Sequence, residues 1–233
     1  MNSKITFYIV RHGRTLMNTL DRVQGWCDSP LTLEGQEVAK YVGLGMKDIP
    51  FRSAYCSTLR RTRQTVDIIL KAKGQGNIQP IEIDGFREAG FGSFESGKNL
   101  RMWESAAFFL HYKSAEAMYN DVLAGKITFR AILNAVKELD KFNMAESYEQ
   151  VEQRAQASLR AIAEEEAEKG DANVLVIAHG MSIVAMLMSL GGDKVLKGHL
   201  ENAAVCKVTY ERGEFSVESM NDLSYAERGR LAT

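Results

Sequence analysis

The sequence predicts an α/β fold, and three observations carry that expectation. Two short runs of apolar or β-branched residues, Ile5–Val10 and Val174–Ala178, each lead to a histidine followed by glycine, His12-Gly13 and His179-Gly180. Such runs read as buried strands. A third stretch, Ser53-Ala54-Tyr55-Cys56, passes directly into a helical pattern. Strands that feed helices point to a parallel sheet with helices packed on it, and in open sheets of this kind ligands bind beyond the C-terminal ends of the strands.

Taken in order, the chain supports this reading element by element. After the first strand, residues 15–29 read as a loop punctuated by Gly25 and Asp28, with Pro30 just beyond. Thr32 then suits the N-cap of a helix, and Glu34 its positive end. Val38, Tyr41, Val42 and Met46 recur at helical spacing on one side. The strand ending at Cys56 leads to a helix that Ser57 is expected to cap and that runs to about Lys73. Its stripe is Leu59, Thr62, Val66, Ile69 and Leu70, with Gly74 as terminator. Ile81 to Asp84 reads as a short strand, and Phe86–Gly92 as a loop carrying one carboxylate, Glu88. Residues 98–144 read as helical, with Trp103, Ala106, Ala107, Leu110 and Tyr112 on the apolar side. No long linker flanks them, so they are expected to be an insertion within one domain spanning 1–233. Ser147 begins a further helix with Val151, Ala155, Leu159 and Ile162 buried, and Glu164-Glu165-Glu166 reads as a solvated face. The second apolar strand follows, then an apolar helix over 182–190. Residues 204–210 and 214–220 flank Arg212-Gly213 as a hairpin. From Asp222 onward the chain reads as a polar, mobile terminus.

Composition limits the classes of function. The chain has 233 residues, 45% hydrophobic and 25% charged, as expected of a globular protein. Its formal net charge of −1 gives no basis for nucleic-acid or membrane-surface binding, so any anion site must be a local cluster. Cys27, Cys56 and Cys206 are odd in number and unpaired by spacing, which predicts a reducing, cytoplasmic setting. The apolar run before Arg11 is too short for the core of a signal peptide, and no run reaches the length of a membrane span.

The chemistry suggested by the residues is phosphoryl transfer through a histidine. A neutral imidazole at a strand end is a nucleophile, and an adjacent arginine suits an anionic electrophile. The reaction also needs donors for the phosphoryl oxygens and an acid for the leaving oxygen. Arg11, His179 and one of Arg60 and Arg61 are candidates for the first role. Glu88 is the candidate for the second, with Asp84 and Glu95 as competitors. Crowded cations are expected to lower the pKa of His12. Each residue also has a plainer reading. A strand-end histidine is commonly structural, and paired arginines on a helix are commonly solvated. A cysteine phosphatase built on Cys56 would need an arginine at position 62, which is Thr62. The four histidines lack the HxH and HExxH spacings of metallohydrolases.

These residues also carry a resemblance. Arg11-His12-Gly13-Arg14-Thr15 resembles the signature of the histidine phosphatase superfamily, in its phosphoglycerate mutase-like branch. Asn18, Gln24-Gly25-Trp26-Cys27-Asp28-Ser29-Pro30-Leu31-Thr32, Ser57-Thr58-Leu59-Arg60-Arg61-Thr62, Arg87-Glu88, Ala178-His179-Gly180 and Asn202-Ala203-Ala204-Val205 are similar to further segments of that family. Only 98–144 matches nothing in it. The resemblance implies a three-layer α/β/α sandwich with a mostly parallel central sheet. It implies transfer through phospho-His12 without metal or other cofactor, with Arg61 rather than Arg60 on the phosphate and Glu88 as proton donor. It further implies a small anionic phosphorylated substrate contacted by Asn18, Gln24, Gly25 and Gly180. Arg14 stands where Glu is common, adding a cation that either binds a more anionic substrate or pairs locally. Met181 stands where the glycolytic mutases have Asn, and the Glu88 loop lacks their Glu-Arg-x-Tyr-Gly pattern. Both departures favour a phosphatase. The alternatives are a phosphoglycerate mutase and a non-catalytic phospho-ligand binder. A further expectation is that the insertion forms a lid, with Trp103, Phe108 and Phe109 lining an apolar part of the pocket; plain packing onto the domain is the competing one.

Overall fold

A computed structural model describes residues 3–196 and 198–233. Its centre is a six-stranded sheet in the order β3-β2-β4-β1-β5-β6. The strands are β1 (Ile5–Arg11), β2 (Phe51–Cys56), β3 (Ile81–Glu82), β4 (Ala172–Ala178), β5 (Val205–Glu211) and β6 (Glu214–Asp222). The first four run parallel, and β5 and β6 add an antiparallel hairpin beside β1. Both central turn residues of that hairpin, Arg212 and Gly213, have positive φ, as a two-residue turn joining twisted strands requires. The predicted third strand is shorter than expected, because a single 3-10 turn over Asp84–Phe86 takes its end.

Alternation along β1 and β4 builds two cores. Ile5, Phe7, Ile9, Val174 and Val176 face α7 (Tyr148–Glu168) and α8 (Gly180–Met188). Tyr8, Val10, Leu175 and Ile177 face α2 (Leu33–Gly45) and α3 (Arg60–Ala72). Burial on both faces explains why these strands are apolar throughout. Chain connections set the site. The connection after β1 leads, through the short α1 (Leu16–Thr19), to α2 on one face, whereas β4 leads to α8 on the other. Neighbouring strands whose connections diverge leave a crevice at their C-terminal ends.

Residues 98–144, expected to be helical, hold three short helices: α4 (Asn99–Phe109), α5 (Ala115–Leu123) and α6 (Phe129–Leu139). Met102, Ala106, Met118, Ile132 and Val136 pack with Tyr148 and Val151 of α7 and with Phe91 of the loop before them, forming a third apolar cluster. The expectation of a solvated face at 164–166 fails at Glu166, which is 2% exposed. Arg52 donates to its carboxylate at 2.6 Å and to its backbone carbonyl at 2.6 Å, and Tyr55 donates at 3.2 Å. The expected mobile terminus is instead α9 (Ser224–Leu231), packed on α2. The helices approach so closely that a Cβ on Gly229 would meet the Tyr41 carbonyl, and one on Gly45 the Tyr225 carbonyl. Polar composition hid this contact, because glycine backbone makes much of it, with only Tyr225 and Ala226 adding side chains to the core beneath. Gly229→Val is therefore expected to destabilise the protein by about 1–3 kcal/mol, the range for overpacking. Thermal denaturation should register this as a Tm lower by about 2–4 °C per kcal/mol; an unchanged Tm would contradict the packing.

Candidate active site

The register pairs Arg11 with Ala178, so the residues that follow, His12 and His179, leave the sheet side by side. His12 N–H donates to the Ala178 carbonyl at 3.0 Å. Both imidazoles are buried, with ring centroids 5.1 Å apart and planes inclined at 62°. Between them lies the Arg61 guanidinium, whose Nε is 3.3 Å from His12 Nε2 and 3.1 Å from His179 Nδ1. A guanidinium only donates, so both of these ring nitrogens are acceptors. The other partners complete the tautomers. His12 Nδ1–H donates to the Gly13 carbonyl at 2.8 Å, and His179 Nε2–H to Ser57 Oγ at 2.7 Å. His12 thus carries its lone pair on Nε2. Burial, then Arg61 and Arg11, hold the His12 pKa well below its ordinary value; burial, Arg61 and His12 do the same for His179.

Arg61 is fully buried at the start of α3, whereas Arg60 is exposed, which removes the ambiguity of the arginine pair. Its other N–H groups face the 24–28 loop. Nη1 donates to Cys27 O and Asp28 Oδ1, both at 3.0 Å, and Nη2 to Gly25 O at 2.8 Å and Gln24 O at 3.4 Å. Only Nε points toward the histidines. The loop is shaped in turn by Glu95, whose carboxylate accepts N–H bonds from Gly25, Trp26, Cys27 and Phe91 at 2.9–3.2 Å. Glu95 is therefore engaged away from the histidines, and Asp84 is exposed, bound to Thr58 and near Arg87.

Glu88 is buried and lines the cavity over His12. Oε1 accepts from Ala89 N at 2.9 Å and Ser182 N at 2.8 Å, and Oε2 from Met181 N at 3.1 Å. Two of these donors are free N–H groups in the first turn of α8, which attract negative charge. A carboxylate oxygen has two lone-pair sites, so Oε2 retains one for a proton.

The cavity is about 200 Å³ and is lined on its polar side by Arg11, His12, Asn18, Arg22, Gln24, Glu88, Asn99 and His199. Arg11 donates to the Leu200 carbonyl, and its buried Nε has no partner among the described residues. Gly180 leaves room for this guanidinium, since a Cβ there would lie 3.3 Å from Arg11 Nε. Asn18 Oδ1 accepts from Thr15 N at 3.1 Å, Thr15 Oγ at 3.0 Å and Asn202 Nδ2 at 3.4 Å. The Gln24 amide is bound to Thr15 and Ser29. Gly25 does not line the cavity. It sits behind Arg61, where a Cβ would meet Glu95 and Ala89. Arg14 also lies outside, in a neighbouring depression, and pairs with Glu34 at 3.6 Å. Both partners are exposed, so this pair contributes about 0–1 kcal/mol. Of the aromatic residues expected from the insertion, Trp103 lines the cavity. Phe108 and Phe109 point elsewhere, 82% and 45% exposed.

Some functional neighbours were not assigned from sequence. Ser57 is not the cap of α3, which starts from Leu59; its hydroxyl accepts from His179 and from Leu59 N. Thr65 Oγ accepts from Gly13 N and donates to Arg61 O, joining the signature loop to α3. Asn202 Nδ2 donates to the His12 carbonyl at 3.0 Å. Position within a matched segment was the only sequence signal for Ser57 and Asn202. Cys56 is fully buried and its thiol is pushed up to about 12 by burial, so it is no nucleophile. Among the described residues no group of three or more His, Cys, Asp or Glu is placed to hold a metal ion, and no helix is long and apolar enough to cross a membrane.

The family model described as histidine phosphatase superfamily (branch 1) matches residues 7–223. The chain belongs to this superfamily. Among its relatives, a protein of Gloeobacter violaceus named 2,3-bisphosphoglycerate-dependent phosphoglycerate mutase 2 is 31% identical over 206 residues, 87% of this chain and 80% of that one. A probable phosphoglycerate mutase GpmB of Erwinia tasmaniensis is 27% identical over 228 residues, 94% of each chain. The crystal structure of a phosphoglycerate mutase from Bacillus anthracis superposes with a TM-score of 0.92 at 36% identity, covering 98% of both chains.

The site geometry makes a prediction for the free protein. With both histidines held below the usual value of 6.5, imidazole NMR should show neither His12 nor His179 taking up a proton as pH falls through 6.5. Because the unfolded chain protonates first, these histidines withdraw stability progressively as pH falls below that range. Titration of either ring at or above 6.5 would contradict the arrangement.

Proposed function

We propose that the chain transfers the phosphoryl group of a small phosphomonoester through a phosphohistidine at His12. The observation that carries this reading is the Nε2 lone pair of a buried His12 at a cavity that Arg11 and Glu88 also line. The Nε2–P bond forms as the ester P–O bond breaks. Glu88 Oε2 gives its proton to the leaving oxygen, while Arg11 and the Arg61 Nε–H, released as His12 Nε2 bonds phosphorus, hold the phosphoryl oxygens. His179, expected from the sequence to share that role, has its one N–H on Ser57 and its other ring nitrogen accepting from Arg61, so in this tautomer it positions Arg61 instead. In the second half-reaction Glu88 takes a proton from the acceptor, whose oxygen displaces His12 from phosphorus.

The acceptor separates two readings. If it is water, the protein is a phosphatase. Met181 at the cavity and the apolar wall formed by Phe91, Met102, Trp103, Phe129 and Val184 support this, since they suit an organic leaving group, whereas Arg22 and His199 on the same lining would suit a second anion. If it is a hydroxyl of a phosphorylated sugar acid, the protein is a phosphoglycerate mutase. The names of its relatives support that reading better than they support hydrolysis. Measuring 3-phosphoglycerate conversion and phosphate release side by side decides the matter. Isomerisation without phosphate release selects the mutase, and release selects the phosphatase. Absence of both across a panel of phosphomonoesters, in folded protein, leaves a phospho-ligand binder.

Two substitutions test the shared step. His12→Ala is expected to abolish the acid-labile phosphoenzyme and lower kcat/KM by about 10³-fold or more; near-normal turnover would refute the nucleophile. Glu88→Gln is expected to slow esters with poor leaving groups by about 10²-fold and activated aryl phosphates far less. Equal losses on both would remove Glu88 from the acid role.

A further inference from the structure

The Glu88 loop has almost no regular structure, yet its backbone is held from one side by a single guanidinium. Arg154, on α7, donates from Nη1 to the carbonyls of Gly85 at 2.9 Å and Arg87 at 2.7 Å, and from Nη2 to that of Glu88 at 2.9 Å. Its Nε and its second Nη2 hydrogen bind the Glu146 carboxylate, both at 2.8 Å. All five donors of the guanidinium are thus in use. Glu146 grips the far end of the same loop. Its Oε2 accepts from Gly90 N at 2.9 Å, and its own N–H donates to Gly90 O at 2.9 Å. Trp26 Nε1 adds one further bond to the Glu88 carbonyl, at 3.0 Å.

We propose that Arg154, oriented by Glu146, is a positioning residue for Glu88; the proposal rests on Glu88 being the proton donor. Arg154 does not line the cavity and acts through the loop. Three carbonyls converge on it from both sides of Phe86. Without it, the Glu88 carbonyl keeps a single bond, from Trp26, and the loop is otherwise held by the carboxylate's own bonds to Ala89 and α8 and by Gly90's bonds to Glu146. General acid catalysis depends steeply on where the acid sits, so a displaced Glu88 loses proton transfer before it loses binding. The clamp also ties the acid to the inserted segment, because Glu146 lies where the chain returns from α6 to α7. A planar fork is needed here. Lysine has one nitrogen and cannot reach three carbonyls and a carboxylate together.

The test follows phosphorylation of His12 in the full chain, with p-nitrophenyl phosphate and with glycerol 3-phosphate as probes, so it reads the same step whichever acceptor is natural. Arg154→Met is expected to slow phosphorylation by glycerol 3-phosphate about tenfold or more, within the range of a general acid, and that by p-nitrophenyl phosphate less than about threefold. Arg154→Lys and Glu146→Gln, which keep part of the network, should show the same selectivity at smaller size. They carry the test if Arg154→Met fails to fold. In a Glu88→Gln background, Arg154→Met should add less than about twofold, because both changes remove one function. Equal slowing with both esters, or full additivity with Glu88→Gln, overturns the positioning role. Glu88→Gln without leaving-group selectivity overturns the acid assignment itself and the positioning role with it. Selectivity in Glu88→Gln but not in the Arg154 variants overturns only the positioning role.

Discussion

A cation with no exposed surface, Arg61, is the constraint on which the site depends. Burying a guanidinium is tolerated only when its donors are met, and removing one partner of a buried pair costs about 3–5 kcal/mol. The chain meets the requirement by wrapping residues 24–28 over it and supplying Asp28. The remaining donor, Nε, has nothing to bind except two histidines, and it can bind them only if they are neutral toward it. One side chain therefore joins α3, the 24–28 loop and the ends of β1 and β4, and in doing so sets the tautomer and charge of both imidazoles.

Carboxylates around the site divide by what they accept. Glu95 gathers four N–H groups and shapes the loop that covers Arg61. Asp140, although burial opposes it, is held well below the usual carboxylate range by N–H bonds from Ser93, Ala145 and Phe142, and fixes the start of the 141–146 segment. Glu146 pairs with Arg154. Glu88 alone of these both lines the cavity over His12 and keeps a lone-pair site open. Location in the cavity, and not residue type, sets Glu88 apart from the other three.

Much of this was legible in sequence, for reasons visible in the structure. Strands buried on both faces cannot carry polar residues, so β1 and β4 stand out as apolar runs and their terminal histidines with them. Helical stripes in α2, α3 and α7 are legible because one face packs on the sheet. The errors fall where burial uses something other than apolar side chains. Glu166 is buried through Arg52, α9 docks largely through close glycine backbone, and Ser57 serves His179 rather than a helix end. Arg14 and Gly25, grouped with the site by their place in matched segments, stand beside it and behind it.

By itself the sequence determined the strands, the sheet-facing helices, the family and which residue types gather at the candidate site, because each is written in local periodicity or in a short motif. Tertiary structure decided the rest. It alone shows that Arg61 turns four of its five donors toward the 24–28 loop, that Phe108 and Phe109 leave the cavity while Trp103 enters it, and that Arg154, some sixty-six positions after Glu88, holds the Glu88 backbone. These facts depend on which donor meets which acceptor across the fold, and no local pattern along the chain encodes that pairing.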